Sequence, residues 1–312
     1  MPYKKFTAVG LAAVACVAVA ACSSSGGGSK SSSGSGSNPL SPSTSNSVVV
    51  GSANFPEDEL LAQIYADALT NAGVKVTTKF NIGAREVYYP EVVKGAISII
   101  PEYNGALLTT SVDKTSTASS TADVNAALTA KLPSTVKILN SSAAQDKDSI
   151  TVTQANATKY HLTSIADLSS VAKTWVIGGP SEFETRADGI VGLKKVYGLT
   201  FKSFSPLDES GPITLAALTS GKVQAADVFT TTPQIITDKL LSLSDPKNMF
   251  AAQNIVPLVY KKAASAKVVT ALNAVSAKLT TADLLAMNKS LSIDHQSYTT
   301  VASNWLSQNG LK

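Results

Sequence analysis

The chain has 312 residues, of which 26 are basic and 22 acidic, and it contains only two cysteines. A formal net charge of +4 is small for this length, so the composition does not favour nucleic acid as a partner. Both cysteines, Cys16 and Cys22, lie near the N-terminus, so the rest of the chain cannot form an internal disulfide and has to be stabilised by a packed core.

Residues 1–21 have the layout of a secretory signal peptide. Lys4 and Lys5 precede an uncharged apolar run over 6–21, which is short for a membrane-spanning helix. The junction Val-Ala-Ala-Cys at 19–22 resembles the lipobox of bacterial lipoproteins, and this resemblance implies that Cys22 is lipidated and becomes the first mature residue. The alternative is an ordinary cleaved signal with a cysteine there by chance.

Residues 22–47 are predicted to form a flexible tether. The segment consists almost entirely of Ser, Gly, Asn and Pro with a single Lys30, and such a composition buries too little apolar surface to fold. A flexible chain of this length spans roughly 25 to 30 Å, enough to hold a domain clear of a bilayer.

A first block of alternating strands and helices follows the tether. Apolar and alternating patterns predict strands, and helical periodicity predicts helices. The predicted strands are 48–51, 74–80 and 96–100, and the predicted helices are 60–69 and 91–94. Gly73 follows the end of the first helix, and Pro101 is predicted to end the third strand. This alternation is typical of an α/β sheet.

A second block repeats the pattern and is followed by a helical tail. Its predicted strands are 150–152, 175–179 and 225–229, its helices are 192–197 and 214–220, and the tail has helical stretches at 268–279 and 281–291. The residues from 48 onward exceed the usual size of a single hydrophobic core, so we expect two lobes.

The two arginines of the chain, Arg85 and Arg186, both follow predicted strands. A guanidinium group can bind a carboxylate through two parallel hydrogen bonds, and ligands of open α/β sheets bind at the ends of strands. Each arginine is therefore a candidate anion clamp. Salt bridges to Glu86, Glu182 or Glu184 are the alternative, and the sequence leaves both open.

Six aromatic residues are predicted at junctions between strands and loops rather than inside helices. Aromatic faces attract quaternary ammonium groups, and each face contributes roughly 0.5 to 2 kcal/mol. Ordinary half-buried packing is the alternative for any one of them. The six are Phe55, Tyr88, Tyr89, Tyr103, Phe183 and Phe229.

A family resemblance rests on seven stretches in a fixed order. The segment GSANFPE at 51–57, followed by an amphipathic helix, is similar to the opening of quaternary-amine substrate-binding proteins of ABC importers. Stretches similar to the ligand-site loops of that family follow at 81–86, 101–105, 145–148, 178–186, 211–212 and 227–231. The resemblance extends from Val48 to the C-terminus. It implies a receptor of the ProX type for glycine betaine, choline or carnitine.

The resemblance implies the α/β type II periplasmic-binding-protein fold, with two α/β lobes joined by two crossover hinges. We predict that residues 48–142 and 247–312 form lobe 1 and that residues 143–246 form lobe 2. The ligand is then expected to bind between the lobes.

The resemblance also assigns roles in the site. Tyr103 corresponds to a tyrosine of the aromatic cage, and the contact with a ligand carboxylate falls to Arg85. Ala53 is a departure, because the family often has lysine or glutamine there. Cage tyrosines of the second lobe have no evident match, and Phe183 and Phe229 are hypothetical substitutes. The predicted ligand-binding residues are Asn54, Phe55, Arg85, Glu86, Tyr89, Tyr103, Gln145, Asp146, Phe183, Glu184, Arg186, Phe229, Thr230 and Thr231.

No constellation of residues predicts catalysis, a metal site or a cofactor. The two histidines, His161 and His295, have no neighbours at metal-ligand spacing. We therefore expect a non-enzymatic receptor that binds a small osmolyte, works with a permease and an ATPase, binds no nucleic acid, and is secreted and anchored to the outer face of the cell membrane through the Cys22 lipid. The alternatives are a receptor for another small carboxylate or aromatic solute, and a surface ectoenzyme or interaction lipoprotein on the same fold.

Overall fold

Two five-stranded mixed sheets form the framework of the protein. The computed structural model describes residues 47–312; the predicted signal peptide, Cys22 and the predicted tether up to residue 46 lie outside the described residues. In chain order the strands are β1 Val48–Gly51, β2 Val76–Lys79, β3 Ile99–Tyr103, β4 Val136–Ile138, β5 Asp148–Thr153, β6 Val176–Gly179, β7 Ser203–Pro206, β8 Ala225–Phe229, β9 Leu240–Ser242 and β10 Ile255–Tyr260.

Eleven α-helices accompany the sheets in the described part of the chain. They are α1 Pro56–Asn71, α2 Arg85–Lys94, α3 Asn104–Leu107, α4 Thr121–Lys131, α5 Gln154–Tyr160, α6 Ile190–Tyr197, α7 Pro212–Thr219, α8 Gln234–Thr237, α9 Ala266–Lys278, α10 Thr281–Ser292 and α11 Tyr298–Gln308. A π-helical turn over Leu108–Val112 extends α3. The predicted α/β class is therefore confirmed.

The two sheets have the same mixed arrangement of strands. The first sheet has the order β2-β1-β3-β10-β4, in which β1 pairs in parallel with β2 and β3, and β10 pairs antiparallel with β3 and β4. The second sheet has the order β7-β6-β8-β5-β9, in which β6 is parallel to its two neighbours and β5 is antiparallel to its own.

The chain passes between the sheets twice. It leaves the first sheet after β4, through residues 139–147, and returns to it before β10, through residues 243–254. The predicted lobe boundaries at 142 and 247 fall inside these connections, and the division into lobes itself stays a prediction.

Each sheet has its own apolar core. The first core combines strand residues such as Ile99 and Leu258 with the buried face of α1 and with residues of α9, α10 and α11. The second sheet carries one core around Ile150 and Ile177 and a smaller one around Leu218 and Val228. The connections between the sheets add buried apolar residues to these cores, with Ala144 and Ala251 in the first and Leu243 and Phe250 in the second.

The predicted end of the third strand at Pro101 is wrong, since β3 continues to Tyr103. Pro101 faces Pro257 of β10 in the antiparallel register. Neither proline has an N–H to donate, and the pair occupies a position at which opposing residues exchange no hydrogen bonds. The strand can therefore include Pro101.

The predicted helix at 91–94 begins earlier, at Arg85. Pro90 lies inside this helix, and a proline usually marks a helix start or break, which is why the sequence placed the start after it. The burial of Tyr88 and Val92 in the first core holds the helix in place on both sides of Pro90. Tyr88 and Tyr89 consequently lie within a helix and not at a junction.

Candidate functional site

A small cavity lies between the two sheets, with walls from both. Its volume is about 30 Å³. Because a cavity needs roughly 10 to 15 Å³ to hold an ordered water, this cavity has room for about two waters. Six of the predicted ligand-binding residues line it: Phe55, Arg85, Tyr103, Asp146, Arg186 and Phe229. The other lining residues are Ala106, Asp148, Asp188, Glu209 and Gln253.

Three aromatic rings close one side of the cavity. Phe55 precedes α1, Tyr103 ends β3, and Phe229 ends β8, so the rings come from both sheets. The ring centroids of Phe55 and Phe229 are 5.2 Å apart, and those of Phe55 and Tyr103 are 5.8 Å apart. A quaternary ammonium sits within about 6 Å of a ring centroid. It can enter between these rings only if they separate.

Arg85 forms a buried ion pair with Glu102. Its Nε lies 3.0 and 3.1 Å from the two carboxylate oxygens of Glu102, and its Nη2 lies 3.0 Å from Oε2. Tyr88 donates a further hydrogen bond to the same carboxylate at 2.9 Å. Burial lowers the pKa of Arg85, but the charge of Glu102 outweighs this effect and raises that pKa above its ordinary value. Of the two roles considered for Arg85, the contacts match the salt bridge, with Glu102 as its partner.

Arg186 forms an ion pair that links the two halves of the molecule. Its Nε and Nη2 donate to the two oxygens of Glu86 in α2, each at 3.0 Å. This parallel geometry is the strongest form of a guanidinium–carboxylate contact. Burial raises the pKa of Glu86, but the hydrogen bonds and charge of Arg186 outweigh it and bring that pKa below its ordinary value. The salt bridge to Glu86 was one of the alternatives considered for Arg186.

A buried carboxyl pair lies behind the rings. Glu57 of α1 accepts hydrogen bonds from the hydroxyls of Tyr103 at 2.8 Å and Thr231 at 2.6 Å, and from the Asn288 amide at 2.5 Å. Asp146 hydrogen-bonds to Glu57 and accepts from the backbone N–H of Thr231 at 3.0 Å. Burial raises the pKa of both carboxyl groups. The pair therefore retains a proton at a pH where an exposed pair would not.

Further carboxylates lie on the side of the second sheet. Asp148 begins β5 opposite Phe229 and accepts a hydrogen bond from Gln253 at 2.8 Å, while Asp188 accepts one from Thr109 at 2.9 Å. Burial raises the pKa of Asp188, and it raises the pKa of Glu209 to about 6.

Asp227 lies close to these groups within β8. It is 2% exposed, and among residues 47–312 its Oδ1 has no hydrogen-bond partner. Burial and the charge of Asp148 raise its pKa.

None of these acidic residues was among the predicted ligand-binding residues. Asp148 and Asp227 lie inside the stretches 145–148 and 227–231 that carry the family resemblance, so position could have pointed to them. Asp188 and Glu209 lie in irregular segments, where periodicity gives no signal.

The remaining predicted ligand-binding residues do not line the cavity. Phe183 is 2% exposed and packs in the core of the second sheet. Glu86 contacts the lining residue Arg186, and Thr231 contacts the lining residue Asp146 and its neighbour Glu57. Asn54, Glu184 and Thr230 are exposed, and Tyr89 and Gln145 are half-buried. Their part in binding stays a prediction.

Two further features bear on the kind of site. Within residues 47–312, no three or more His, Cys, Asp or Glu side chains are grouped so that they could hold a metal ion. No helix in that range is both long enough and apolar enough to span a bilayer.

The chain is similar to known binding proteins in sequence. It is 28% identical over 279 residues to the glycine betaine-binding protein YehZ of Escherichia coli (strain K12), covering 85% of this chain and 92% of YehZ. It is 25% identical over 221 residues to the ergothioneine transport permease/ergothioneine binding protein EgtU of Helicobacter pylori (strain G27), covering 65% of this chain and 36% of EgtU.

Solved structures share the fold. A glycine betaine/carnitine/choline ABC transporter structure superposes with a TM-score of 0.65 at 21% identity, covering 85% of this chain and 99% of the other. Lactococcal OpuAC, in a closed form complexed with glycine betaine, superposes with a TM-score of 0.60 at 15% identity, covering 85% and 97%. These superpositions confirm the predicted type II periplasmic-binding-protein fold.

The family model that matches describes the substrate-binding domain of the ABC-type glycine betaine transport system, and it matches residues 46–308. The predicted resemblance to quaternary-amine substrate-binding proteins is thereby confirmed. Members of that family are extracytoplasmic solute-binding proteins and not enzymes. Since the match covers nearly all of the described residues, the chain belongs to the family of substrate-binding domains of ABC-type glycine betaine transport systems.

Proposed function

We propose that this protein captures glycine betaine or a related quaternary-amine osmolyte between its two sheets and delivers it to the permease and ATPase of an ABC importer. The observation that carries the proposal is the set of three rings, Phe55, Tyr103 and Phe229, gathered from both sheets around one cavity. Ring faces attract a trimethylammonium group, which has no N–H to donate. The glycine betaine-binding relative YehZ supports the same class of ligand.

Capture requires the two lobes to move. The rings touch and the cavity holds only about 30 Å³, so a quaternary amine enters after the cleft opens at residues 139–147 and 243–254. We assign residues 48–142 and 247–312 to one lobe and 143–246 to the other. The ligand stabilises the closed form because only there does it contact rings from both lobes.

Replacement of Tyr103 by alanine tests the assignment of the rings. Loss of one ring face should weaken the binding of glycine betaine or choline by about tenfold, measured by isothermal titration calorimetry. Tyr103→Phe is the matched control, because it keeps the ring and loses only the hydroxyl bound to Glu57. Equal affinity of Tyr103→Ala and the parent protein would contradict the role of the ring.

The alternatives predict different behaviour. A receptor for another small carboxylate or aromatic solute would bind that solute and no quaternary amine. A surface ectoenzyme or interaction lipoprotein on this fold would show turnover or a protein partner. Incubation of the purified protein with esterase and phosphatase substrates should therefore yield no product, and steady turnover would overturn the proposal of a non-enzymatic receptor.

We also propose that the protein is tethered to the outer face of the cell membrane through a lipid on Cys22. The lipobox-like sequence at 19–22 and the Ser/Gly-rich segment after it support this proposal. Cys22→Ser should move the protein from the membrane fraction to the medium or the soluble extracytoplasmic fraction. Retention of the variant in the membrane fraction would contradict the lipid anchor.

A further inference from the structure

The charges around the cavity are not those of a carboxylate-binding site. Arg85 and Arg186 are the only basic side chains among the described residues that line the cavity. Glu102 occupies Nε and Nη2 of Arg85, and Glu86 occupies Nε and Nη2 of Arg186. Both guanidinium groups are thus compensated by carboxylates of the chain itself.

The rest of the wall is acidic. Asp148, Asp188 and Glu209 line the cavity, and within the described residues none of them forms an ion pair. Asp148 and Asp188 each accept one hydrogen bond from a neutral side chain. Asp188 is 7% exposed, so water screens its charge poorly.

Asp227 adds a second, independent observation. It is 98% buried beside these acids, and its Oδ1 has no hydrogen-bond partner within residues 47–312. An unsatisfied oxygen of a buried carboxyl group is costly, and a cation or a hydrogen-bond donor next to Asp227 in the loaded protein would offset that cost.

We infer that the ligand is a compact organic cation without a carboxylate group, and that Glu86 excludes zwitterions by occupying Arg186. This inference rests on the proposed function of the site and adds the charge class of its ligand. Three ring faces and three carboxylates both attract a cationic head. A ligand carboxylate would meet like charges on the wall and two arginines that are already paired. Among the quaternary amines, choline therefore fits and glycine betaine does not.

A pair of ligands with the same head group tests the inference. Choline and glycine betaine share the trimethylammonium group and differ in a hydroxymethyl or a carboxylate group. Isothermal titration of the mature protein near neutral pH should give at least about tenfold tighter binding of choline. Equal or tighter binding of glycine betaine overturns the inference but leaves the proposed quaternary-amine function intact.

A second pair covers the case in which neither quaternary amine binds, which would overturn the proposed function. Ethanolamine and glycine differ in the same way but lack the methyl groups. Binding of ethanolamine without glycine would support the charge inference on its own. Binding of glycine, or of neither compound, would overturn it.

Glu86→Gln tests the specificity role of the ion pair. The change frees Arg186, so the affinity for glycine betaine should rise about tenfold relative to that for choline. The ratio of the two affinities is the readout, because any effect of the ion pair on cleft closure is common to both ligands. Glu91→Gln is the matched control, since it removes the same charge from the same helix, where Glu91 pairs with Lys94 and not with Arg186. An unchanged ratio in Glu86→Gln overturns the assigned role of Glu86.

Asp188→Asn tests the role of a wall carboxylate independently of the ion pair between Glu86 and Arg186. Asparagine retains an oxygen that can accept the hydrogen bond from Thr109 but carries no charge. The affinity for choline should fall about tenfold, while that for glycine betaine stays constant or rises. A parallel loss for both ligands would overturn the inference that the carboxylate selects for charge.

Discussion

The carboxyl pair of Glu57 and Asp146 occupies a position where three parts of the chain meet. Glu57 belongs to α1, Asp146 to the connection 139–147, and their common partner Thr231 follows β8. Burial raises the pKa of both groups above the values they have in the unfolded chain. The folded protein therefore binds a proton here that the unfolded chain releases as the pH rises through its ordinary carboxyl pKa values.

Asp146→Asn should remove this pH dependence. For a carboxyl group whose folded-state pKa is raised, stability is highest below the unfolded pKa and falls as the pH rises toward the folded pKa. Asparagine can still accept from Thr231 and donate to Glu57 without ionising. The free energy of unfolding of the variant, relative to that of the parent, should rise by about 1 kcal/mol or more from pH near 5 to pH near 8. Urea unfolding at both pH values measures this difference.

Asp167→Asn provides a control whose effect on stability should be equal at pH near 5 and pH near 8. The backbone N–H groups of Thr163 and Ser164 donate to Asp167 and lower its pKa to about 2. Its contribution to stability is therefore present above the unfolded pKa and is lost as the pH falls through about 2. If Asp146→Asn changed the free energy of unfolding equally at both pH values, the result would contradict the binding of a shared proton by Asp146 and Glu57.

At the scale of the elements, Gly105 fixes how closely the end of β3 approaches the returning connection 243–254. A Cβ atom on Gly105 would lie 2.4 Å from the backbone oxygen of Ala252. The two segments are also joined by the backbone N–H of Asn104, which donates to Asn254 O at 3.1 Å, and by Asn254 N–H, which donates to the Asn104 side chain at 2.8 Å. The small residue allows the two backbones to pack together beside the cavity.

Gly105→Ala should destabilise the protein by roughly 1 to 3 kcal/mol, because a backbone segment and not a flexible side chain has to move. The shift of the urea midpoint measures this cost. Gly221→Ala is the control, since its Cβ meets nothing within 4 Å and only its left-handed backbone, at φ +75°, is strained. A smaller loss for Gly105→Ala than for Gly221→Ala would contradict the close approach.

Periodicity predicted most of the elements that surround the site but not their ends. The strands β1 and β8 and the tail helices followed from apolar patterns, and the rings of Phe55, Tyr103 and Phe229 were found because they lie at predicted junctions between strands and loops. β10 was not predicted, because Pro257 in its centre argues against a central strand until its partner Pro101 is known. Contacts between distant segments, such as Arg85 with Glu102, have no local signal in the sequence.

Family resemblance predicted the fold better than it predicted the site. It identified the loops that approach the cavity, but the direction of each side chain depends on packing. Phe183 follows β6 as predicted, yet its ring turns into the core of the second sheet. The acids Asp188 and Glu209 reach the cavity from irregular segments, where a single sequence has no pattern to interpret.

For the whole molecule, the proposed closure depends on contacts between the two sheets. The ion pair of Arg186 with Glu86 and the ring contact of Phe55 with Phe229 join the two sides. The ion pair is partly exposed, with Glu86 47% exposed, so its contribution is small and decreases with salt. The balance between open and closed forms is therefore sensitive to both salt and ligand.

Small-angle X-ray scattering should detect this balance. Without ligand, the radius of gyration should increase when the salt concentration is raised from about 0.05 M to about 1 M, because the Debye length falls from above 10 Å to about 3 Å. With saturating ligand it should stay at the compact value, since contacts to the rings do not depend on salt. Glu86→Gln should shift the radius toward the expanded value already at low salt. A radius independent of salt and ligand in all samples would contradict hinge closure.

The contact between Phe55 and Phe229 affects the apparent affinity of the protein for a ligand. When the empty cleft shuts on its own rings, the shut molecules cannot take up a solute, and the apparent dissociation constant rises in inverse proportion to the open fraction. Aromatic pairs of this kind contribute about 0.5 to 1.5 kcal/mol, so this single contact can change the open fraction several-fold. In the proposed receptor, the fit of the two phenyl rings to each other thus affects the external solute concentration at which uptake begins.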